Sequence, residues 1–186
     1  MMTFIKSQEE ALFLPPAQLG GKAANLAWMT REGLPVPRWW VVCTDAFRAL
    51  LDSNALRPFI EGELRIINRA GLNTDVETVA ARIRERILQA TLPAALEQEL
   101  AALAAAHDGF LAVRSSVQGE DAEGASFAGQ MDSYLFQKGL EALRQSLLRT
   151  AASAFNARAL LYRKAKGIPL SDIRTACQKH NTKTTK

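Results

Sequence analysis

Between two short strand-like runs, FLAVRSS (residues 110–116) and SYLF (133–136), lies VQGEDAEGASFAGQMD, with no large aliphatic side chain after Val117 until Met131. A core segment is more apolar than this, and a plain linker does not sit between two strands. The concentration of Gly, Ala and Ser is suited to bringing backbone close to a ligand. Gly124 and Gly129 add dihedral freedom that other residues lack. Any fold this chain adopts has to hold that loop between strand ends, with Arg114 at its entrance.

The remaining segments supply the helices and one more strand. GGKAANLAWMTREG (20–33) reads as a short helix, with Ala23, Leu26, Ala27 and Thr30 on one face and Gly33 as its stop. PVPRWWVVCT follows, with a strand expected over Trp39 to Cys43. Thr44 or Asp45 is expected to cap a helix beginning DAFRALL. Residues 55–107 are mostly helical: Thr74 and Glu77 have capping-box spacing ahead of a stripe of Val76, Val79, Ala80, Ile83 and Ile87. An Ala- and Leu-rich helix then runs from about Pro93 to His107 and ends at Gly109. Residues 139–167 read as two helices, with Asn156 capping the second. Strands around a small-residue loop, with a helical insert between sheet segments, describe an α+β lobe. Residues 1–168 are expected to form it, and residues 169–186, polar and basic, to be a disordered tail.

Charge and composition exclude several classes. The net charge of +4 hints at nucleic acid, but seven of the 23 basic residues and one of the 19 acidic ones lie at or beyond Arg163. That leaves 16 basic against 18 acidic before it, so the basicity belongs to the tail. With no basic face interleaved with aromatics, a nucleic-acid partner is not expected. No apolar run approaches the ~20 residues that span a bilayer, and Lys6, Glu9 and Glu10 interrupt the N-terminus where a signal peptide is apolar. No membrane partner and a cytoplasmic location are expected. Cys43 and Cys177 lack metal-ligand spacing and read as free thiols.

A nucleotide triphosphate needs backbone N–H groups at close range, fixed cations and few bulky side chains. GASFAGQ (124–130) meets the steric demand, Ser126 and Ser133 offer hydroxyl donors, and Arg114 offers a rigid fork at a strand end. Gly20, Gly21 and Lys22 repeat the logic, because a helix start, its positive dipole end and an ammonium coincide there. The G-x-x-x-x-G-K-[ST] spacing of a P-loop is absent. A plain structural reading stands beside each: Arg114 pairing with Glu120 or Asp121, Lys22 as a solvated helix-start residue, and the three tryptophans as packing residues.

LGGKAANLAWMTREGLPVPRWWVVCTDAFRALL, LAVRSSVQGEDAEGASFAGQMDSYL and FNARALLYRKAKGI occur here in one family's order. Over about residues 15–168 the chain resembles the N-terminal, ATP-grasp nucleotide-binding part of the pyruvate phosphate dikinase and phosphoenolpyruvate synthase family. Rifamycin phosphotransferases and glucan water dikinases share that part. The resemblance implies ATP and Mg²⁺ as cofactors, with Lys22 and Arg114 contacting phosphates. It further implies Gly129 on a loop, Gly124, Ser126, Phe127, Ala128 and Gln130 included, that closes over them, and Ser133 touching nucleotide. It implies cleavage of ATP to AMP and phosphoryl transfer, through a histidine on a separate swivelling domain, to pyruvate or another small acceptor.

The family's second lobe, with its adenine pocket and acidic metal ligands, has no counterpart here, so no metal ligand and no catalytic residue is assigned. The resemblance thus implies an ATP-binding lobe of a phosphotransferase, incomplete and inactive alone, and a separately encoded second lobe as a partner. A non-catalytic regulatory or partner-binding lobe and a truncated remnant stay open.

Overall fold

The computed structural model describes residues 3–69, 75–117, 121–122, 125–126, 132–167 and 175–181. The chain opens with β1 (Ile5–Ser7), the short helices α1 (Gln8–Ala11) and α2 (Pro16–Leu19), α3 (Gly21–Arg31) and β2 (Trp39–Val42). A helical stretch follows: α4 (Thr44–Ser53), α5 (Leu56–Arg69), α6 (Val76–Leu88) and α7 (Ala94–Ala106). Then come β3 (Leu111–Val117), β4 (Asp121–Ala122), β5 (Ala125–Ser126), β6 (Ser133–Gln137), α8 (Gly139–Ser153), α9 (Ala157–Ala165) and β7 (Thr175–Asn181). Five strands form one sheet in the order β1-β2-β7-β3-β6, every neighbouring pair antiparallel, while β4 and β5 pair separately. Helices and an antiparallel sheet of this kind are the α+β class.

Both faces of the sheet are put to use, and alternation along the strands decides which residue goes where. On one face, Val42 from β2 and Leu111 and Val113 from β3 join a core with Phe47, Ile83, Ile87, Leu96, Leu100 and Phe155 from the helices. On the other face, Trp39 and Val41 pack with Ala23 and Ala27 of α3, and Ala11, Leu19 and Cys43 complete this smaller core. The small side chains of α3 let the helix lie close over the fully buried Trp39. The Trp39 indole N–H donates to Thr30 Oγ1, which donates in turn to Leu26 O. At the far edge, the Glu99 carboxylate on α7 accepts the Phe4 and Ile5 amides and fastens β1 to the helical layer.

Several expected signals operate as read. The stripe Val79, Ala80, Ile83 and Ile87 is buried, and the Asn156 side chain caps α9 by accepting the Ala159 amide at 2.7 Å. Others differ. Asp75 caps α6, its carboxylate accepting the Thr78 amide, while Thr74 lies outside the described residues. Cys43 is the N-cap residue of α4, and Thr44, already inside the helix, donates its hydroxyl to Ala17 O. Trp28 is 54% exposed, because it sits on the α3 face opposite Ala23 and Ala27. The largest difference is in the polar tail, where Thr175–Asn181 form β7 between β2 and β3. An interior strand is held by backbone bonds on both sides, so TACQKHN needs no apolar alternation to occupy the place.

Burial also sets the chemistry of Cys43. Removal from water, ahead of the nearby charges, pushes its thiol from about 9 up to about 11. Between those values the unfolded chain ionises this thiol and the native protein does not. Stability is therefore intact below about pH 9 and falls as pH rises towards 11, by up to about 3 kcal/mol. Urea unfolding of the wild type and Cys43→Ala at pH 8 and pH 10.5 measures it. The wild type is expected to lose more stability than the variant over that interval, whereas equal losses would contradict the burial argument.

Candidate functional site

α3 begins at a residue without a side chain. Gly20 is its N-cap, has φ +74° and ψ 169°, and contributes no side-chain cap. The missing cap comes from β3: Ser116 Oγ accepts the Ala23 amide, the third of the helix, at 3.0 Å. The same hydroxyl donates to Leu19 O, also at 3.0 Å. Ser116 is fully buried, and its carbonyl oxygen would lie 2.2 Å from a Cβ built on Gly20. Only glycine allows this approach, for steric reasons and because its dihedrals fall in a region closed to other residues. The first turn of α3, Gly21 and the half-buried Lys22 included, is thereby fixed against β3.

Arg114 stands two residues before Ser116, and so lies on the same sheet face about 7 Å along the strand. Its cross-strand neighbour on β6 is Ser133. The registers continue the row as Lys6, Val41, Gln178, Arg114, Ser133 across all five strands. α3 covers this face over β2, burying Val41, whereas Arg114 and Ser133 are both exposed. The described residues thus present a guanidinium and a hydroxyl side by side on an open half-face. The positive end of a helix dipole borders them.

The next residue on β6 belongs to the other face. Tyr134 packs against the main core, donates its hydroxyl to Asp132 at 3.2 Å, and has the Arg149 guanidinium 6.0 Å from its ring centre. Burial, with the Asp132 charge behind it, pushes the phenol up to about 12, so it stays neutral. His107 closes α7 and meets Trp40 edge-on at 5.4 Å, on the side of the main core.

The expected site residues therefore divide. Arg114 and Ser133 are brought together, and Lys22 sits on the helix whose start is pinned two residues from Arg114. Ser126 lies in β5 opposite Asp121, while Gly124, Phe127, Ala128, Gly129 and Gln130 lie outside the described residues. Among the described residues no group of three or more His, Cys, Asp or Glu stands together. No helix among them is long and apolar enough to cross a membrane. Sequence reasoning passed over Ser116. The signal was present in LAVRSS, because alternation puts Ser116 on the face of Arg114, but nothing local says that its partner is a helix start 93 residues earlier.

The family described as pyruvate phosphate dikinase, AMP/ATP-binding domain, matches residues 16–179. The chain is 34% identical over 157 residues to phosphoenolpyruvate synthase of Aeropyrum pernix, covering 81% of this chain and 19% of that protein. It is 36% identical over 165 residues to rifampicin phosphotransferase of Streptomyces sviceus, covering 86% and 19%. With phosphoenolpyruvate synthase of Pseudomonas aeruginosa it shares 32% over 176 residues, covering 90% and 22%. The chain spans about a fifth of the length of these relatives.

The Gly20 contact makes a graded prediction. Gly33 also has positive φ, +70°, yet nothing lies within 4 Å of a Cβ built there. Gly33→Ala is expected to cost about 1 kcal/mol, from the left-handed conformation alone. Gly20→Ala carries a backbone clash in addition and is expected to cost about 3 kcal/mol or more. Paired urea titrations measure both, and equal costs would contradict the packing of Gly20 on Ser116.

Proposed function

The chain belongs to the pyruvate phosphate dikinase AMP/ATP-binding domain family, and from that premise we propose that it is the ATP-binding lobe of a phosphoenolpyruvate synthase-like phosphotransferase. The observation that carries the reading is the registered pair Arg114 and Ser133 on an open sheet face, two residues from the strand serine that fixes the start of α3. In this reading the triphosphate lies over that half-face. Arg114 forks two phosphate oxygens, and Ser133 donates its hydroxyl. The Gly21 amide, the positive end of α3 and the Lys22 ammonium meet the chain of phosphates from the other side. The segment Gly124–Gln130 closes over them, and Mg²⁺ arrives with the nucleotide. In fold terms this is the N-terminal lobe of an ATP-grasp domain.

Relatives of nearly equal identity carry the names phosphoenolpyruvate synthase and rifampicin phosphotransferase. A lobe shared at that level between proteins named for such different products serves the nucleotide and leaves the acceptor, pyruvate or another small molecule, to other parts. His107 does not fit the role of a swinging phosphohistidine, since its ring is held edge-on against Trp40. The chain alone is therefore proposed to bind ATP without turning it over. A second reading, a lobe that works only with a second lobe docked against it, is favoured by the apolar rim at β6. There Phe110, Leu135 and Phe136 are exposed, and the two phenylalanine rings meet edge-on at 6.1 Å.

Calorimetric titration of ATP into the wild type and Arg114→Ala tests the proposal. Loss of charge-assisted hydrogen bonds worth about 1.5–3 kcal/mol is expected to weaken binding by about tenfold to a hundredfold. The melting temperature should hold, because Arg114 is exposed. Equal affinities would refute the phosphate assignment. Saturable binding that appears only when a second lobe is added would favour the second reading. With ATP, Mg²⁺ and pyruvate, the chain alone is expected to form no AMP above a buffer control.

A further inference from the structure

We propose that Ser116 is a positioning residue for nucleotide binding, holding the start of α3 in one place relative to Arg114 before any nucleotide arrives. The inference rests on the phosphate reading above and adds to it a residue that touches no phosphate. Three observations support it. Ser116 Oγ accepts the Ala23 amide and donates to Leu19 O, so a single hydroxyl is bonded on both sides of Gly20. Ser116 is fully buried, so water cannot substitute for either bond. Gly20 is seated so closely on the Ser116 backbone that the helix start has no room to slide inward.

The arrangement also divides the helix start by role. In an ordinary N-cap the capping side chain belongs to the residue before the helix and occupies space in front of the first turn. Here Gly20 places nothing there, and the cap reaches the third amide from the sheet. A capping group on Gly20 itself would compete with an anion for the first turn, whereas one on β3 leaves the front of the turn to a ligand. The neighbouring Ser115 is buried as well but lies on the opposite face of β3 by alternation, so it serves as an internal control.

The test is ATP titration into the full chain for wild type, Ser116→Ala, Ser115→Ala, Lys22→Ala, Arg114→Ala and the double variant Lys22→Ala/Ser116→Ala. Ser116→Ala is expected to bind about tenfold more weakly, and Ser115→Ala within about twofold of wild type. In the Lys22→Ala background, removal of Ser116 is expected to cost much less than in the wild type, because part of what it positions is already gone. Such coupling is not produced by a serine that merely supports the fold. Should Ser116→Ala fail to fold, amide exchange of the unaltered protein replaces it: the Ala23 amide is expected to be as slow without ATP as the Ala27 amide.

ATP bound equally well by wild type and Ser116→Ala, equal losses in both backgrounds, or rapid exchange at Ala23 would each overturn the inference. A wild type that binds no ATP even when a second lobe is supplied, or Arg114→Ala with undiminished affinity, would overturn the phosphate reading and this inference together. An intact Arg114 effect beside an unaffected Ser116→Ala would overturn this inference alone.

Discussion

The hydroxyl of Ser116 joins two parts of the chain that lie far apart in sequence. Its bonds to the Ala23 amide and Leu19 O tie the start of α3 to the strand that carries Arg114, across 93 and 97 residues of sequence. A cap of this kind contributes about 1 kcal/mol, a modest amount, but its buried position makes its loss more costly than its presence is favourable. Around it the sequence is constrained in turn. Position 20 has to be glycine for β3 to come so close, and the α3 face above β2 has to be small for the helix to lie over Trp39.

The rest of the fold supports that join by separating the two faces of one sheet. β2 sends alternate residues into the large helical core and the small α3 core, whereas β3 sends Leu111 and Val113 into the large core and Ser116 to the start of α3. β7 completes the interior of the sheet, pairing with β2 on one side and β3 on the other, and so sets their relative register. Without a strand there, Val41 and Arg114 would not share a row, and α3 could not cover one while leaving the other exposed. An open half-face flanked by a closed one is how a small antiparallel sheet provides both a core and a surface for a ligand.

Much of this was legible in the chain, because the governing signals are local. The 3.6-residue stripe of α6, the Asn156 cap, the Trp39–Val42 run and Gly33 as the stop of α3 depend on neighbours a few residues apart. Arg114 and Ser133 are proposed as site residues from residue type and from resemblance to a family, and membership in that family follows from the match over residues 16–179. What was not legible depends on distance. β7 is polar and aperiodic, and only strands on both sides make it a strand. Ser116 looks like any serine in RSS until the helix it caps is in place. Thr44 offered a capping side chain, yet the helix starts one residue earlier and its hydroxyl answers to Ala17 O. Trp28 shows the limit of reading aromatics as core, since its position on α3 points it away from Ala23 and Ala27.

The central claim is that Arg114, Ser133 and the pinned start of α3 act as one surface for a triphosphate. Nuclear magnetic resonance of the isotope-labelled chain, titrated with ATP and separately with adenosine, tests it most directly. The account predicts that the Gly21 amide, the Arg114 side-chain Nε–H and the Ser133 amide shift together and saturate together with ATP, and stay in place with adenosine. Shifts confined to the helical core side of the sheet, or the same response to adenosine as to ATP, would contradict it.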